Sequence, residues 1–163
     1  MKNEVRKIVI FGNSGAGKST LSKQLSEQFD LTHLDLDILA WNDSKPPTRA
    51  PISESSETIQ TFIQSNKSWV IEGGYADLLS LVMPYADEVI FLNKDSNTCI
   101  ENAKKRPWEP HKYDSFAQQN ENLAMLLDWI KDYATRDDVF SLSAHQRLFK
   151  NLGLSQITRH YSF

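Results

Sequence analysis

The sequence predicts an α/β protein, a three-layer sandwich in which helices cover both faces of a five-stranded parallel sheet. Short apolar runs typical of buried strands alternate along the 163 residues with segments whose apolar residues have helical spacing. Such alternation is typical of parallel strands joined by right-handed crossovers. The length fits a single domain over residues 1–163. The predicted strands lie near residues 7–11, 32–35, 69–72, 88–92 and 139–142.

The first strand runs into a glycine-rich segment that matches the phosphate-binding pattern G-x-x-x-x-G-K-[ST] at every fixed position. Leu21, Leu25 and Phe29 then recur at helical spacing, which gives the strand, loop and helix that the motif requires. Three glycines let the loop turn its N–H groups inward toward a triphosphate, beside a positive helix N-terminus. The predicted nucleotide-binding residues are Gly12, Asn13, Ser14, Gly15, Ala16, Gly17, Lys18, Ser19 and Thr20.

Two side chains of this segment have the chemistry to bind magnesium ATP, so ATP and Mg²⁺ are the predicted cofactors. Lys18 would bridge the β- and γ-phosphates, and the Ser19 hydroxyl would complete a Mg²⁺ shell of phosphate oxygens and water. A glycine-rich turn that only caps a helix is the alternative interpretation. The length of the motif and its flanking strand and helix argue against it.

The second predicted strand ends in two carboxylates, Asp35 and Asp37. A spacing of two residues puts both on the same side of an extended chain. Ligands of open α/β sheets lie at the carboxyl ends of the strands. These acids would therefore lie near a phosphate and its metal if the second strand neighbours the first. A solvated strand end is the alternative.

Residues 41–68 form a predicted substrate-side segment. It begins with a polar loop that contains three prolines, and a helix capped by Ser53 follows through about residue 65. Arg49 is the only arginine in this segment and is a candidate substrate contact.

The third strand ends in Glu72, Gly73 and Gly74. An acid followed by two glycines permits the backbone to approach a ligand closely, so these residues are further candidates for substrate binding. A plain turn is the alternative.

A predicted lid covers residues near 104–114. The helix before it, capped by Ser96, ends in three cations of which Arg106 is the last, and prolines and further cations follow. Such a loop could close over a polyphosphate. Cations also suit the negative C-terminus of a helix, which is the alternative explanation.

Ser115 is the predicted cap of a long helix after the lid. The helix has an apolar face of Leu123, Leu127, Ile130 and Ala134. The last predicted strand, at 139–142, precedes a helix that Ser143 would cap and Gly153 would end. The tail from residue 154 to 163 is either a short strand or a frayed end.

This order of elements resembles the P-loop kinases of small molecules, a group that includes adenylate, shikimate and gluconate kinases, over nearly the whole chain. The resemblance implies the sheet order 2-3-1-4-5. The two strand-end motifs are most similar to the adenylate-kinase-like proteins often labelled as DNA-topology-modulation proteins. By similarity to shikimate kinases, Asp35 would hold Mg²⁺ through water and Asp37 would accept a hydrogen bond from the substrate hydroxyl. By approximate position, Arg106 resembles the lid arginine of the group and Arg136 a second phosphate-facing arginine.

The chain departs from these kinases where their substrates are recognised. The F-R-x-x-E stretch that holds the acid of shikimate has no counterpart between Trp41 and Trp69. The D-G-F-P-R stretch of adenylate kinases is replaced by one that starts at Glu72 and has no arginine. A nucleoside monophosphate would therefore lose one of its expected clamps. The acceptor and the oligomeric state stay open.

Composition narrows the classes of partner. Proteins that bind nucleic acid duplexes are usually basic, whereas this chain has a net charge of −3. A nucleic acid partner is therefore not expected. Cys99 is the single cysteine, which excludes an intramolecular disulfide and is compatible with a reducing compartment. The sequence contains no apolar run near ~18 residues and no signal-peptide pattern at its start. These features predict a cytoplasmic protein that does not bind membranes.

The sequence as a whole predicts an ATP-dependent kinase with an unidentified small-molecule acceptor. Lys18, Asp37, Arg106 and Arg136 are its candidate catalytic residues. The alternative is a regulatory ATPase whose output is a change of shape transmitted to a protein or DNA partner.

Overall fold

In the computed structural model, which describes residues 4–44, 47–152 and 158–162, the strands form one parallel sheet in the order β2-β3-β1-β4-β5. The strands are β1 Lys7–Gly12, β2 Thr32–Asp35, β3 Trp69–Gly73, β4 Glu88–Leu92 and β5 Thr158–Ser162. Strand β1 is central because it is apolar on both faces: its residues from Ile8 to Phe11 are fully buried.

Helices cover both faces of this sheet. They are α1 Lys18–Phe29, α2 Ile52–Ser65, α3 Ala76–Val82, α4 Ser96–Lys104, α5 Phe116–Glu121, α6 Leu123–Lys131 and α7 Leu142–Lys150. Alternate residues of β1 enter two separate cores. Val9 and Phe11 pack with side chains of α2, α3 and α7, whereas Ile8 and Ile10 pack with α1, α4 and α6.

The register of the sheet brings three chain segments to one edge. Phe11 pairs with Gly73 of β3, and Asp35 pairs with Glu72. The chain leaves β1, β2 and β3 at this edge, so the glycine-rich loop, the two aspartates and the glutamate are neighbours. The second strand is separated from the first by β3.

Four strands lie where the sequence predicts them, but the predicted strand at 139–142 is wrong. This stretch is a turn in which the Phe140 N–H donates to Asp138 Oδ1 at 3.0 Å. The Ser141 hydroxyl accepts from the Ala144 N–H at 3.2 Å and so caps α7. A short apolar run next to a strong capping residue has too little length for a strand. The fifth strand is instead Thr158–Ser162, in the tail that the sequence left open.

Several predicted helix ends also need correction. Helix α2 begins at Ile52 after Pro51, not after Ser53. Asp95, not Ser96, caps α4, and Ser141, not Ser143, caps α7. Each observed cap lies one or two residues before the predicted one.

The cap at Ser115 is confirmed, since its hydroxyl accepts from the Gln118 N–H at 3.1 Å. The long helix predicted after it is two helices, α5 and α6, which meet at Asn122, and Ala134 ends a 3₁₀ turn, Asp132–Ala134. The predicted stop at Gly153 lies outside the described residues. Within the described ranges no helix has the length and apolarity that a membrane span requires.

Candidate nucleotide and acceptor site

The loop between β1 and α1 is shaped by glycines that cannot be replaced without strain. Gly15 has φ +82°, and a Cβ there would lie 2.3 Å from the carbonyl oxygen of Cys99 in α4. Gly17 has φ +95° and precedes α1 as its N-cap, but a Cβ there would meet nothing within 4 Å. The loop is thus packed against α4 at Gly15 and open at Gly17, at the N-terminus of α1.

Two side-chain amides fix this loop to the helices behind it. Asn102 of α4 donates from Nδ2 to the Gly15 carbonyl at 2.8 Å. Asn13 donates from Nδ2 to the carbonyl of Ile130 in α6 at 3.3 Å. Hydrogen bonds to backbone carbonyls hold the loop in one shape before any ligand arrives, which reduces the entropy that binding must overcome.

Lys18 points into the centre of the loop. Its Nζ donates to the carbonyls of Asn13 at 2.7 Å and Gly12 at 3.1 Å. Burial lowers the pKa of Lys18 from its usual value, although the nearby carboxylates of Glu72 and Asp37 act in the opposite direction. An ammonium group, a helix N-terminus and a hydroxyl converge here, and this donor set fits the oxygens of a polyphosphate.

The acid in contact with Ser19 is Glu72. The Ser19 hydroxyl donates to Glu72 Oε1 at 3.0 Å, and the Nε2 of His33 lies 2.6 Å from Glu72 Oε2. Glu72 is 2% exposed, and both carboxylate oxygens have partners. A hydroxyl beside a buried carboxylate suits Mg²⁺, a hard cation that prefers oxygen ligands and keeps part of its water shell.

Asp35 and Asp37 share an ammonium group. Lys112 Nζ lies 2.8 Å from Asp37 Oδ2 and 4.0 Å from Asp35 Oδ2. Burial acts to raise the pKa of Asp37, but Lys112 outweighs it and holds that pKa below its usual value. The pKa of Asp35 is raised, first by burial and then by the charge of Asp37. The two acids therefore differ in basicity although they are two residues apart.

Tyr75 connects Asp37 to the substrate-side segment. Its hydroxyl donates to Asp37 Oδ1 and accepts from Trp41 Nε1, the latter at 2.8 Å. Burial and the charge of Asp37 raise the pKa of Tyr75, which keeps the phenol protonated as a donor. Asp35 Oδ1 accepts from the Asp37 N–H at 2.9 Å, so the turn between the two acids is also fixed.

The predicted lid residues face these acids. The Glu109 carboxylate forms two ion pairs, one with Arg106 Nε at 3.3 Å and one with Lys112 Nζ at 3.1 Å. Trp108 Nε1 donates to the carbonyl of Tyr113 at 3.0 Å and thereby holds the segment in a closed turn. Lys112 thus joins the lid directly to the end of β2.

A cavity of about 1460 Å³ is lined by the glycine-rich loop, the strand-end acids, Tyr75 and Trp41, and the charged residues of the lid. We call the part formed by residues 12–20 the nucleotide side. We call the part formed by residues 35–41, 72–75 and 106–113 the acceptor side. The cavity wall includes every predicted residue of the glycine-rich loop together with Asp35, Asp37, Glu72, Gly73, Gly74 and Arg106.

The structure does not bring Arg49 and Arg136 to this wall. Arg49 NH2 donates to Asp77 Oδ2 at 3.0 Å, and its guanidinium lies 4.9 Å from the ring centre of Tyr75. Arg136 donates to the carbonyl of Trp129, stacks at 4.1 Å over the Trp129 ring and pairs with Asp138 at 3.2 Å. These contacts join the two arginines to aromatic side chains, Tyr75 and Trp129, that line the cavity.

His145 supports the acceptor side through the backbone of Gly74, and sequence reasoning missed it. Its Nε2 donates to the carbonyl of Gly74 at 2.7 Å, and its Nδ1 accepts from the Tyr133 hydroxyl at 2.7 Å. His145 is fully buried, and burial lowers its pKa to about 4. Lys112 and His33 were also missed as partners of the site acids. The sequence offers one indication for Lys112, which is its position within the predicted lid.

The fold and site define the class of the protein. A glycine-rich phosphate loop after a central strand, a lysine and serine at the following helix, and an acid at the neighbouring strand end are the parts of a P-loop nucleotide-binding protein. The chain belongs to the AAA domain family AAA_18, whose model matches residues 8–125.

Two individual proteins are similar to the chain. The chain is 27% identical over 150 residues to the uncharacterized protein YqaC of Bacillus subtilis (strain 168), a match that covers 90% of this chain and 84% of that protein. Its fold is similar to a gluconokinase from Sinorhizobium meliloti 1021, with a TM-score of 0.50 and 15% identity over 96% of this chain and 82% of the other. At that identity the likeness concerns the fold alone.

Proposed function

We propose that the protein is a phosphotransferase that moves the γ-phosphoryl group of magnesium ATP to a hydroxyl of a small molecule. The observation that carries this proposal is that the nucleotide side and the ionised Asp37 share one cavity under a cationic lid. A protein that only binds nucleotide has no need for a second set of charged groups opposite the phosphates.

The nucleotide side supplies charge and position. Lys18 and the N–H groups of the loop would hold the phosphates, and the braces at Asn13 and Asn102 keep the loop in place. Mg²⁺, when bound, would neutralise phosphate charge, with Ser19 as a ligand and Glu72 and Asp35 beside it. Glu72, held by His33, fixes the direction of the Ser19 hydroxyl.

The acceptor side orients the nucleophile. Asp37 is kept ionised by Lys112 and held in one orientation by Tyr75, so it would accept a hydrogen bond from the acceptor hydroxyl. Its lowered pKa makes it a weak base, which suits a loose transition state in which the proton leaves late. Arg106 lies on the cavity wall and would place positive charge near the transferred group.

The test is phosphoryl transfer from γ-labelled ATP to a set of small alcohols. Asp37→Asn should keep nucleotide binding and lose most transfer, because the hydroxyl is no longer oriented. Asp35→Asn should instead raise the Mg²⁺ concentration needed for half-maximal rate. Asp87→Asn, which changes an exposed acid outside the cavity, is the matched control. ATP binding with hydrolysis that no acceptor accelerates would favour the regulatory ATPase instead.

A further inference from the structure

An apolar shelf lies beside Asp37 on the acceptor side. It consists of Ile38 and Trp41, two large apolar side chains that are 66% and 42% exposed and line the cavity. Both side chains are accessible to solvent, and the charged groups of Asp35, Asp37 and Lys112 line the same cavity. A ligand that covers this shelf gains the burial of apolar surface, and it does so within reach of the acid that would receive its hydroxyl.

Trp41 is exposed but held in one position. An antiparallel bridge pairs it with Arg49, and the Ala50 N–H donates to the Ala40 carbonyl at 2.8 Å. Its indole Nε1 donates to the Tyr75 hydroxyl, which in turn donates to Asp37. The ring face and the carboxylate therefore have a fixed separation through one shared phenol. Such an arrangement can select a ligand that presents a ring and a hydroxyl together.

The charges around Asp37 disfavour an anionic acceptor. Among the described residues, Lys112 is the cation that lies within 4.0 Å of Asp35 or Asp37. Its one charge is shared by Asp35, Asp37 and Glu109. Arg106 is paired with Glu109, and Arg49 with Asp77. A carboxylate or phosphate on the acceptor would lie beside several acids and would have to break one of these pairs.

Building on the function proposed above, we propose that the acceptor is a neutral cyclic alcohol whose ring packs on Ile38 and Trp41 and whose hydroxyl contacts Asp37. In the transfer step the hydroxyl oxygen forms a bond to the γ-phosphorus, and the bond from that phosphorus to the bridging β–γ oxygen breaks. ADP leaves with the electron pair of that bond. The hydroxyl proton passes to the Asp37 carboxylate and then to solvent.

The experiment compares neutral and anionic members of matched pairs by calorimetry, with the protein saturated by a non-hydrolysable ATP analogue and Mg²⁺. The pairs are adenosine with adenosine monophosphate, and glucose with glucuronate, which keeps the sugar ring and adds a carboxylate. We expect a neutral member to bind at least about tenfold more tightly than its anion, because one unfavourable charge contact has about that effect. Tighter binding of the anions, or no binding of either neutral compound, overturns the inference.

Variants at the shelf separate ring packing from general binding. Trp41→Ala should lower the affinity for the neutral ligand by about tenfold. Trp41→Phe keeps a ring and should retain most of the wild-type affinity. Phe116→Ala removes an aromatic ring that is 53% exposed outside the cavity and should change nothing. Equal binding by Trp41→Ala and the wild type also overturns the inference. If the nucleotide analogue itself does not bind, it is the proposed phosphotransferase function that fails.

Discussion

The nucleotide side and the acceptor side of the cavity are held in place by different forces. The nucleotide side is fixed through its backbone, by amide side chains on carbonyls and by the contact of Gly15 with α4. The acceptor side is fixed through side-chain charges, with Lys112 shared between the lid and the strand-end acids. Under the proposed function, we expect the first arrangement to accept any nucleoside triphosphate. The second can change when a ligand competes for its charges, and we expect specificity for the acceptor to arise there.

The largest effect that tests this difference is expected at Gly15. Gly15→Ala puts a Cβ 2.3 Å from a backbone carbonyl at φ +82°, so we expect it to lower the free energy of unfolding by about 3 to 5 kcal/mol. Gly17→Ala has a similar φ but open space around it, and should cost only about 1 to 2 kcal/mol. Urea denaturation measures both. Equal losses would show that packing against α4 does not fix the loop.

The second prediction concerns His145, which supports the acceptor side through Gly74. Its pKa is about 4 in the folded protein and near 6.5 when unfolded, so the folded state binds fewer protons between these values. Stability should therefore fall as the pH drops from about 6.5 to about 4, by up to about 3 kcal/mol.

The check is the pH dependence of urea denaturation for the wild type and for His145→Gln, which can still donate to the Gly74 carbonyl but does not titrate. Over this pH interval the free energy of unfolding should fall less for the variant than for the wild type. The difference should be up to about 3 kcal/mol, the effect of the one titrating group. Parallel curves for the two proteins would contradict the assignment of a neutral, buried imidazole.

A smaller effect is expected at the charge that joins the two strand-end acids to the lid. Lys112→Met should lower kcat for transfer by about tenfold, since one charge-assisted contact contributes about 1.5 kcal/mol. The Kd for the nucleotide should stay within about twofold, because the nucleotide side does not depend on this pair. Lys131→Met, an exposed lysine of α6 outside the cavity, is the control. A loss of nucleotide affinity in Lys112→Met would show that the two sides are not independent.

The same difference explains how much of the molecule could be predicted from its sequence. The nucleotide side was predicted because its requirements are local: glycines at fixed positions, a strand before them and a helix after them. The strands β1, β3 and β4 could be placed because buried parallel strands are continuous apolar runs. The stretch at 139–142 is apolar too, but Phe140 packs at 4.9 Å on the Tyr75 ring from a turn.

The acceptor side was predicted only in part because its partners come from distant segments. His33 meets Glu72 across 39 residues, and His145 meets Gly74 across 71. Nothing in the local sequence distinguishes these histidines from surface residues. Arg49 is a predicted substrate contact because it is the only arginine of its segment, and the structure pairs it with Asp77, which the sequence does not indicate.

The most direct test of the nucleotide assignment is a calorimetric titration of a non-hydrolysable ATP analogue with Mg²⁺ into the wild type and Lys18→Ala. Lys18 contributes charge at the centre of the loop, and one lost charge-assisted contact to phosphate costs about 1.5 to 3 kcal/mol. We expect at least about tenfold weaker binding in a variant whose circular dichroism is unchanged, while Lys67→Ala, at an exposed lysine that does not line the cavity, binds as the wild type does. Equal affinity of folded Lys18→Ala and wild type would contradict the account.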